Sequence, residues 1–199
     1  LNFFELVLNR KYSFLIKSPS SPTKYINKPP FRASMKIAML GAGYVGLTTG
    51  ACLADLGNDV TCIDIDEVKI DNLKKGILPI YEPGLKDVVD RNVEQKRLSF
   101  STDAVQAISE AEVIFIAVGT PMKETGEADL TFVFQAAETI GNIITTQKVI
   151  VNKSTIPVGS AEKVRQCIQK ELQKRNETIS FDVVSNPEFL REGSAVNDF

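Results

Sequence analysis

The fold is indicated by the stretch Met35-Lys-Ile-Ala-Met-Leu-Gly-Ala-Gly-Tyr-Val-Gly46. Ile37 to Leu40 is an apolar run with the length of a buried strand. Gly41, Gly43 and Gly46 follow it in the spacing G-x-G-x-x-G. In a dinucleotide-binding turn, the first glycine allows the tight turn, the second lets a pyrophosphate approach, and the third permits close helix packing. The stretch therefore predicts a strand, a phosphate-binding turn and a helix whose N-terminus attracts anions.

The next residues complete a dinucleotide-binding unit. Leu47 to Gly57 predicts a helix, and Val60 to Asp64 predicts a strand that ends in an acid eighteen residues beyond Gly46. A carboxylate at this place accepts hydrogen bonds from the ribose of a bound adenosine. The alternative is a glycine-rich turn in another α/β protein, with Asp64 merely solvated. The strand, helix, second strand and acid in this order favour the dinucleotide site.

Composition excludes several classes of function. The 199 residues have an ordinary globular composition and a net charge of −2, so we expect no nucleic-acid partner. No apolar run has the length of a membrane span, and we expect no membrane partner. The absence of histidine excludes a Ser-His-Asp triad and a His-ligated metal, and no metal site is predicted. Three unpatterned cysteines argue against a disulfide framework and indicate a cytoplasmic location.

Residues 1–34 differ from the rest of the chain. They contain six basic residues and one acid, several prolines and serines, and no clear period. A basic, acid-poor leader is typical of a transit peptide, but no amphipathic helix is evident. We favour a translated upstream segment, with Met35 as the natural start. In either case, we expect a disordered N-terminal extension outside the fold.

Strands and helices alternate beyond the opening unit. Further strands are predicted at residues 98–100, 113–118, 148–151 and 181–184, and helices at residues 67–75, 85–95, 103–109, 130–144 and 160–175. Residues 85–95 place Leu85, Val88, Val89 and Val93 on one apolar face. Six strands with intervening helices predict an α/β fold with a doubly wound, parallel six-stranded sheet of Rossmann type, in the order 3-2-1-4-5-6.

Ligands of such sheets bind beyond the carboxyl ends of the strands, which selects the loops at residues 41–46, 119–121, 152–157 and 185–193. Gly119-Thr120-Pro121 offers N–H groups and a hydroxyl to a cofactor, but is equally typical of a simple turn. The hydroxyls of Ser154 and Thr155 are suited to hold a water or a nicotinamide amide. Such hydroxyls also commonly stabilise a turn without further function.

The last loop carries two carboxylates. Asn186-Pro187-Glu188 has the pattern of a helix start, with Asn186 as N-cap and Pro187 in the first turn. On a helix, Glu188 and Glu192 would share a face, where they could serve as general base and hydrogen-bond anchor. Glutamates that compensate a helix dipole or are simply solvated have the same spacing.

Five motifs occur in order along residues 35–199. They are Gly41-Ala-Gly-Tyr-Val-Gly46, Pro79-Ile-Tyr-Glu-Pro-Gly84, Val118-Gly-Thr-Pro121, Lys153-Ser-Thr-Ile-Pro-Val-Gly159 and Ser185-Asn-Pro-Glu-Phe-Leu-Arg-Glu-Gly193. Together they resemble the UDP-glucose/GDP-mannose dehydrogenase family of nucleotide-sugar dehydrogenases. Within that family, the second and fifth motifs favour UDP-glucose as the substrate, while GDP-mannose and UDP-N-acetylmannosamine stay open as alternatives.

The resemblance implies an NAD-dependent oxidoreductase of UDP-glucuronate and polysaccharide biosynthesis. Such an enzyme oxidises the C6 alcohol of UDP-glucose to an aldehyde and then to a carboxylate. It consumes two NAD+, and a cysteine thioester links the two steps. The full-length enzyme would be a homo-oligomer.

The resemblance also implies roles for individual residues. Thr155 would position a catalytic water, and Glu188 would act as acid and base in thioester hydrolysis. The implied substrate contacts are Glu188, Phe189, Leu190, Arg191 and Glu192. The implied cofactor contacts are Gly41, Ala42, Gly43, Tyr44, Val45, Gly46, Asp64, Lys69, Val118, Gly119, Thr120, Pro121, Met122, Ser154, Thr155, Ile156 and Glu192. Asp64 and Asp66 would repel a 2′-phosphate and favour NAD over NADP, a preference that Lys69 weakens.

The cysteines depart from the family pattern. In the family, the nucleophilic cysteine and most of the UDP-binding surface follow the region that residues 35–199 match. Cys52, Cys62 and Cys167 do not match that nucleophile, and their apolar neighbours indicate core cysteines. We therefore expect the cofactor half of an enzyme, without its central helix and UDP-binding domain, that binds NAD without full turnover. The alternative is a nucleotide-binding module without catalysis.

Overall fold

The computed structural model describes residues 34–199. The predicted disordered extension lies outside this range, except for Ser34, whose hydroxyl donates to Asp59 Oδ2 at 3.2 Å. In the described part of the chain, the strands are β1 Lys36–Leu40, β2 Asp59–Ile63, β3 Leu98–Ser101, β4 Val113–Ile116, β5 Lys148–Asn152 and β6 Phe181–Ser185. The helices there are α1 Tyr44–Asp55, α2 Glu67–Lys74, α3 Leu85–Glu94, α4 Ala104–Glu110, α5 Thr131–Ile143, α6 Ser160–Lys174 and α7 Ala195–Asp198.

The six strands form one parallel sheet in the order β3-β2-β1-β4-β5-β6. This confirms the predicted doubly wound topology. Strand β4 ends at Ile116, two residues before the predicted end. The Ile116 carbonyl accepts hydrogen bonds from the amides of Lys153 and Ser154, and the Val118 carbonyl accepts one from the Ser154 hydroxyl. The Ala117 amide still donates to the Leu40 carbonyl of β1 at 2.8 Å, but the carbonyls of Ile116 and Val118 bond to the loop that follows β5.

Both faces of the sheet are covered, as expected for a parallel sheet. Strand side chains alternate between the faces. Leu40, Ile116 and Ile150 belong to a buried cluster that also includes side chains of α4, α5 and α6. On the other face, α1 packs so closely on β2 that a Cβ on Gly50 would lie 2.7 Å from Cys62 Sγ. The carboxyl ends of the strands therefore remain as the open edge of the sheet.

Helix α3 differs from the prediction on its buried face. Val93 is 40% exposed, whereas Asn92 is fully buried. The Asn92 amide donates to the Val88 carbonyl at 2.8 Å and to Asp55 Oδ1 at 3.0 Å. Asn92 can be buried because both of its side-chain N–H groups have acceptors. It therefore occupies the buried face of α3, where the apolar pattern had predicted Val93.

The predicted helix start at Asn186-Pro187-Glu188 is wrong. Strand β6 ends at Ser185, and the next helix, α7, begins at Ala195. The Asn186 amide donates to the Asn152 carbonyl at 2.9 Å, which continues the pairing with β5. Pro187 also favours an extended residue before it. Glu188 and Glu192 therefore lie on a loop, and the argument from a shared helix face does not apply.

Candidate functional site

The three glycines of the turn after β1 differ in their surroundings: Gly41 and Gly46 are closely packed, whereas Gly43 faces open space. Gly41 has a φ of +102°, and a Cβ there would lie 2.4 Å from the Ala117 carbonyl oxygen. A Cβ on Gly46 would lie 1.9 Å from the Gly41 carbonyl oxygen. A Cβ on Gly43 would have no atom within 4 Å. Helix α1 begins at Tyr44 without a side-chain cap or an acidic residue in its first turn. The turn therefore presents uncapped N–H groups beside open space.

The carboxylate that follows β2 is hydrogen-bonded to this turn. Asp64 Oδ2 accepts from the Ala42 amide at 2.9 Å and from Lys69 Nζ at 2.8 Å, and Oδ1 accepts from the Asp66 amide at 3.1 Å. The Asp64 side chain is 11% exposed. Burial alone would raise its pKa, but the bonds from Lys69, Ala42 and Asp66 outweigh burial and hold the pKa below its usual value. Asp64 is therefore an ionised acceptor.

The start of α2 adds further charge beside Asp64. Asp66 caps this helix by accepting from the Lys69 amide at 3.0 Å, and Glu67 lies in its first turn. The Lys69 ammonium is paired with Asp64 and retains two other N–H groups. Acids therefore outnumber the single base at the end of β2.

Ser154 links the ends of β4 and β5. Its hydroxyl is buried and donates to the Val118 carbonyl at 2.8 Å. The Ser154 hydroxyl therefore stabilises the turn, which is one of the two roles that the sequence left open for it. Thr155 is exposed, and Ile156 packs against the core cluster.

The loop after β4 lies at the same edge of the sheet. Gly119, Pro121 and Met122 are exposed, and Thr120 is half-buried. Met122 forms an antiparallel bridge with Ala128, so the loop returns as a small hairpin.

Glu188 forms an ion pair that the sequence did not predict. Lys153 Nζ lies 3.3 Å from Glu188 Oε2, and their side chains are 7% and 16% exposed. The Leu190 amide donates to Glu188 Oε1 at 2.5 Å. Lys153 Nζ also donates to Asn186 Oδ1 at 3.4 Å. Glu188 Oε2 is buried without a hydrogen-bond partner of good geometry among the described residues. Glu188 Oε2 is ion-paired with Lys153 but accepts no hydrogen bond of good geometry there, so it is suited to accept one from a ligand hydroxyl.

The other predicted substrate contacts differ in their surroundings. Phe189 is 79% exposed, Leu190 is half-buried and Glu192 is exposed. The Arg191 guanidinium donates to both carboxylate oxygens of Asp198, at 2.9 and 2.6 Å. In this structure, Arg191 therefore stabilises the loop itself.

The sequence assigns no role to Glu82, which lies within the motif at residues 79–84. Glu82 is 4% exposed, and its carboxylate accepts hydrogen bonds from the Tyr44 hydroxyl and from the amides of Gly193 and Ala195. Burial would raise its pKa, but these three hydrogen bonds hold the pKa below its usual value. The only available signal was an acid between Tyr81 and Pro83, and that pattern does not indicate burial.

The three cysteines are poor nucleophiles. Burial raises the pKa of Cys62 to about 12 and, together with Asp55, that of Cys52 to about 11. Burial also raises the pKa of the half-buried Cys167. All three thiols therefore stay protonated near neutral pH.

Residues 34–199 show neither a metal-binding cluster nor a membrane-spanning helix. No group of three or more cysteine, aspartate or glutamate side chains in this range could hold a metal ion. None of the helices there combines the length and apolarity required to cross a membrane.

The fold and the site together define a class of protein. An uncapped helix N-terminus beside an open glycine turn, next to a strand that ends in an ionised acid, is the arrangement that binds a dinucleotide. Residues 34–199 therefore form a dinucleotide-binding domain of the doubly wound α/β class.

Comparison with known proteins identifies the family. Residues 35–199 match the NAD binding domain of the UDP-glucose/GDP-mannose dehydrogenase family. The chain belongs to this family and carries its NAD-binding domain.

Individual relatives agree with this assignment. The chain is 58% identical over 163 residues to the UDP-glucose 6-dehydrogenase TuaD of Bacillus subtilis, covering 82% of this chain and 35% of that protein. It superposes on a UDP-glucose dehydrogenase from Pyrobaculum islandicum with a TM-score of 0.80 and 38% identity, covering 86% of this chain and 40% of that one. It superposes on a GDP-mannose dehydrogenase from Pseudomonas aeruginosa with a TM-score of 0.77 and 35% identity. That superposition covers 82% of this chain and 38% of the other. The chain thus spans about a third of the length of TuaD.

Proposed function

We propose that this chain is the NAD-binding part of a UDP-glucose 6-dehydrogenase. The proposed reaction converts the C6 alcohol of UDP-glucose to the carboxylate of UDP-glucuronate, with two NAD+ reduced, one water consumed and three protons released. The 58% identity to a UDP-glucose 6-dehydrogenase supports this substrate. The 35% identity to a GDP-mannose dehydrogenase makes GDP-mannose the second candidate.

The observation that carries the proposal is the hydrogen bond between the glycine turn and the acid after β2. The Ala42 amide lies 2.9 Å from Asp64 Oδ2, so the phosphate end and the ribose end of the site are joined. The open space at Gly43 fits a pyrophosphate, which the uncapped start of α1 attracts. Asp64 Oδ1 accepts only the Asp66 amide and keeps a lone pair for a ribose hydroxyl, and Lys69 has further N–H groups for the ribose.

The same residues favour NAD over NADP. A 2′-phosphate on the adenosine ribose would meet the charges of Asp64, Asp66 and Glu67. The one base beside them, Lys69, is already paired with Asp64. The added negative charge is therefore repelled more than it is attracted.

The loops after β4 and β5 would hold the nicotinamide end of NAD+, which supplies a hydride acceptor when it is bound. We assign Thr155, an exposed residue of the loop after β5, to orienting a water there. We assign Glu188 to taking or returning a proton, and the support is that its Oε2 is buried without a hydrogen bond in the described part of the chain. Lys153 holds that carboxylate through the ion pair at 3.3 Å.

The proposal is tested first on the 199-residue chain. We expect calorimetry to detect NAD+ binding, and we expect no NADH when UDP-glucose is added, because the three cysteines are protonated core residues. The second test uses a chimera in which residues 35–199 replace the matching segment of the B. subtilis relative. It should form two NADH for each UDP-glucose, and the same chimera with Glu188→Gln should be much slower.

Two results would contradict the proposal. One is a folded 199-residue chain that does not bind NAD+. The other is a folded chimera that binds NAD+ yet forms no NADH with UDP-glucose. Activity of the chimera with GDP-mannose alone would move the assignment to the second candidate.

A further inference from the structure

One buried carboxylate connects three distant segments of the chain. Glu82 Oε2 accepts hydrogen bonds from the Tyr44 hydroxyl at 2.7 Å and from the Gly193 amide at 2.8 Å. Its Oε1 accepts from the Ala195 amide at 2.9 Å. Gly193 and Ala195 lie 111 and 113 positions after Glu82. Tyr44, the first residue of α1, and Gly193, at the end of the loop after β6, therefore donate hydrogen bonds to the same oxygen atom, Glu82 Oε2.

Glu82 is itself held firmly. The Leu85 amide donates to the Glu82 carbonyl at 3.1 Å, and the turn between them is closed by Gly84 with a φ of +79°. Leu85 is fully buried at the start of α3, which packs against α1. The backbone that carries the Glu82 side chain is therefore anchored at the start of a buried helix.

The residues on either side of this connection belong to the two halves of the site. Tyr44 directly follows Gly43, where the turn is open to a pyrophosphate. The loop that ends at Gly193 carries Glu188 and Glu192. Burial and the bond to Glu82 raise the pKa of Tyr44, and the charges of Glu192 and Glu188 raise it further. Both glutamates therefore lie close enough to Tyr44 to act on it electrostatically.

We propose that Glu82 is a positioning residue that couples occupancy of the glycine turn to the loop at residues 186–194. This inference rests on the proposed function, because it assigns the glycine turn to NAD. A pyrophosphate against Gly43 restrains Tyr44, and the restrained hydroxyl holds Glu82 Oε2 in line with the Gly193 amide. Binding of NAD+ thereby fixes the end of the loop that carries Glu188 and Glu192.

Amide hydrogen exchange, measured by NMR on the 199-residue chain, tests the coupling. In the wild-type protein, saturating NAD+ should shift the NMR signal of the Gly43 amide. It should also slow hydrogen exchange at the amides of Gly193 and Ala195. In Glu82→Gln, an NH2 group replaces one of the two acceptor oxygens, so exchange at Gly193 or at Ala195 should become about tenfold faster. Added NAD+ should then shift the Gly43 amide without slowing exchange at the two loop amides. Glu94→Gln, an exposed acid on α3, is the matched control.

A second variant covers the case in which Glu82→Gln does not fold. Tyr44→Phe removes one hydrogen bond and leaves both loop amides bonded to Glu82. At saturating NAD+, it should show the shift at Gly43 with a much smaller response at Gly193. Tyr81→Phe, at a 90% exposed position, makes the same chemical change and should behave as the wild type.

The outcomes separate this inference from the proposed function. A wild-type response at Gly43 with none at Gly193 or Ala195 would overturn the coupling alone. An undiminished response at Gly193 in Tyr44→Phe or in a folded Glu82→Gln would also overturn it. No response at any of the three amides in the wild-type chain would contradict the NAD site as well.

Discussion

The Ala42 amide donates a hydrogen bond to Asp64 Oδ2 across 2.9 Å, although 22 positions separate the two residues. The glycine turn after β1 is thereby joined to the acid after β2. The same oxygen also accepts from Lys69 Nζ at 2.8 Å. The cofactor site is therefore held together by its own hydrogen bonds.

The first prediction concerns pH. Hydrogen bonds hold the pKa of Asp64 below its usual value, so Asp64 binds a proton more weakly in the folded state than in the unfolded state. Its contribution to stability is therefore complete above the unfolded pKa, about 3.9, and is lost as pH falls through the lower folded value. The thermal midpoint of Asp64→Asn should lie below that of the wild type at neutral pH, and the gap should narrow in acid.

Asp71→Asn is the matched control, because Asp71 is an exposed acid on the neighbouring helix α2. Its midpoint should follow that of the wild type at every pH. If the difference in thermal midpoint between Asp64→Asn and the wild type stayed constant from neutral pH into acid, the charge of Asp64 would not contribute to folding stability.

The glycines of the turn should separate folding from binding. A Cβ on Gly46 would lie 1.9 Å from the Gly41 carbonyl oxygen, so Gly46→Ala should prevent stable folding. A Cβ on Gly43 would meet nothing within 4 Å, and its φ is −79°. Gly43→Ala should therefore cost only about 1 kcal/mol of stability. It should nevertheless weaken NAD+ binding, because the methyl group fills the space assigned to the pyrophosphate.

Circular dichroism and calorimetry together check the two glycine variants. A folded Gly46→Ala would contradict the close approach between α1 and the turn. A folded Gly43→Ala variant with wild-type affinity for NAD+ would show that the pyrophosphate does not occupy the space beside Gly43.

The ion pair between Lys153 and Glu188 should contribute to stability. Lys153→Met leaves a largely buried carboxylate without its cation, so the free energy of unfolding should fall by about 1–3 kcal/mol. The double variant Lys153→Met/Glu188→Gln should recover part of the loss, because no unpaired charge remains. Denaturant unfolding measures both effects.

Lys163→Met serves as the control for that ion pair, because Lys163 is exposed on α6. It should leave the unfolding free energy almost unchanged. Strictly additive effects of Lys153→Met and Glu188→Gln would show that the two side chains do not interact.

Thiol labelling of the folded chain tests the account of the cysteines. Cys62 is fully buried with a pKa raised to about 12, whereas Cys167 is half-buried. Iodoacetamide should modify Cys167 first and Cys62 last, as measured by peptide mass spectrometry. Rapid labelling of Cys62 or Cys52 at neutral pH would contradict their assignment as inert core residues.

The sequence was informative where a local pattern determines the structure. The spacing of Gly41, Gly43 and Gly46, with the apolar strand before them and Asp64 after the next strand, predicted the turn and its neighbours. Six strands with intervening helices predicted the parallel sheet and its order. The glycine spacing and Asp64 lie within residues 41–64, and each strand and helix was predicted from its own local apolar pattern.

The parts that could not be predicted depend on contacts between distant segments. The burial of Glu82 arises because its partners come from Tyr44 and from amides more than a hundred positions later. The loop at Asn186 adopts an extended start because it pairs with Asn152, which overrides the local helix-start pattern. The buried Asn92 in place of Val93 likewise depends on an acceptor in α1, Asp55.

The central claim is that the glycine turn and Asp64 form an NAD site, and calorimetric titration of the 199-residue chain tests it most directly. NAD+ should bind to the wild type and to Asp71→Asn with the same affinity. Asp64→Ala should bind it about ten to a hundred times more weakly, because charge-assisted hydrogen bonds to the ribose are lost. NADP+ should bind to the wild type at least about tenfold more weakly than NAD+. Equal affinity of Asp64→Ala and the wild type for NAD+, or tighter binding of NADP+, would contradict the account.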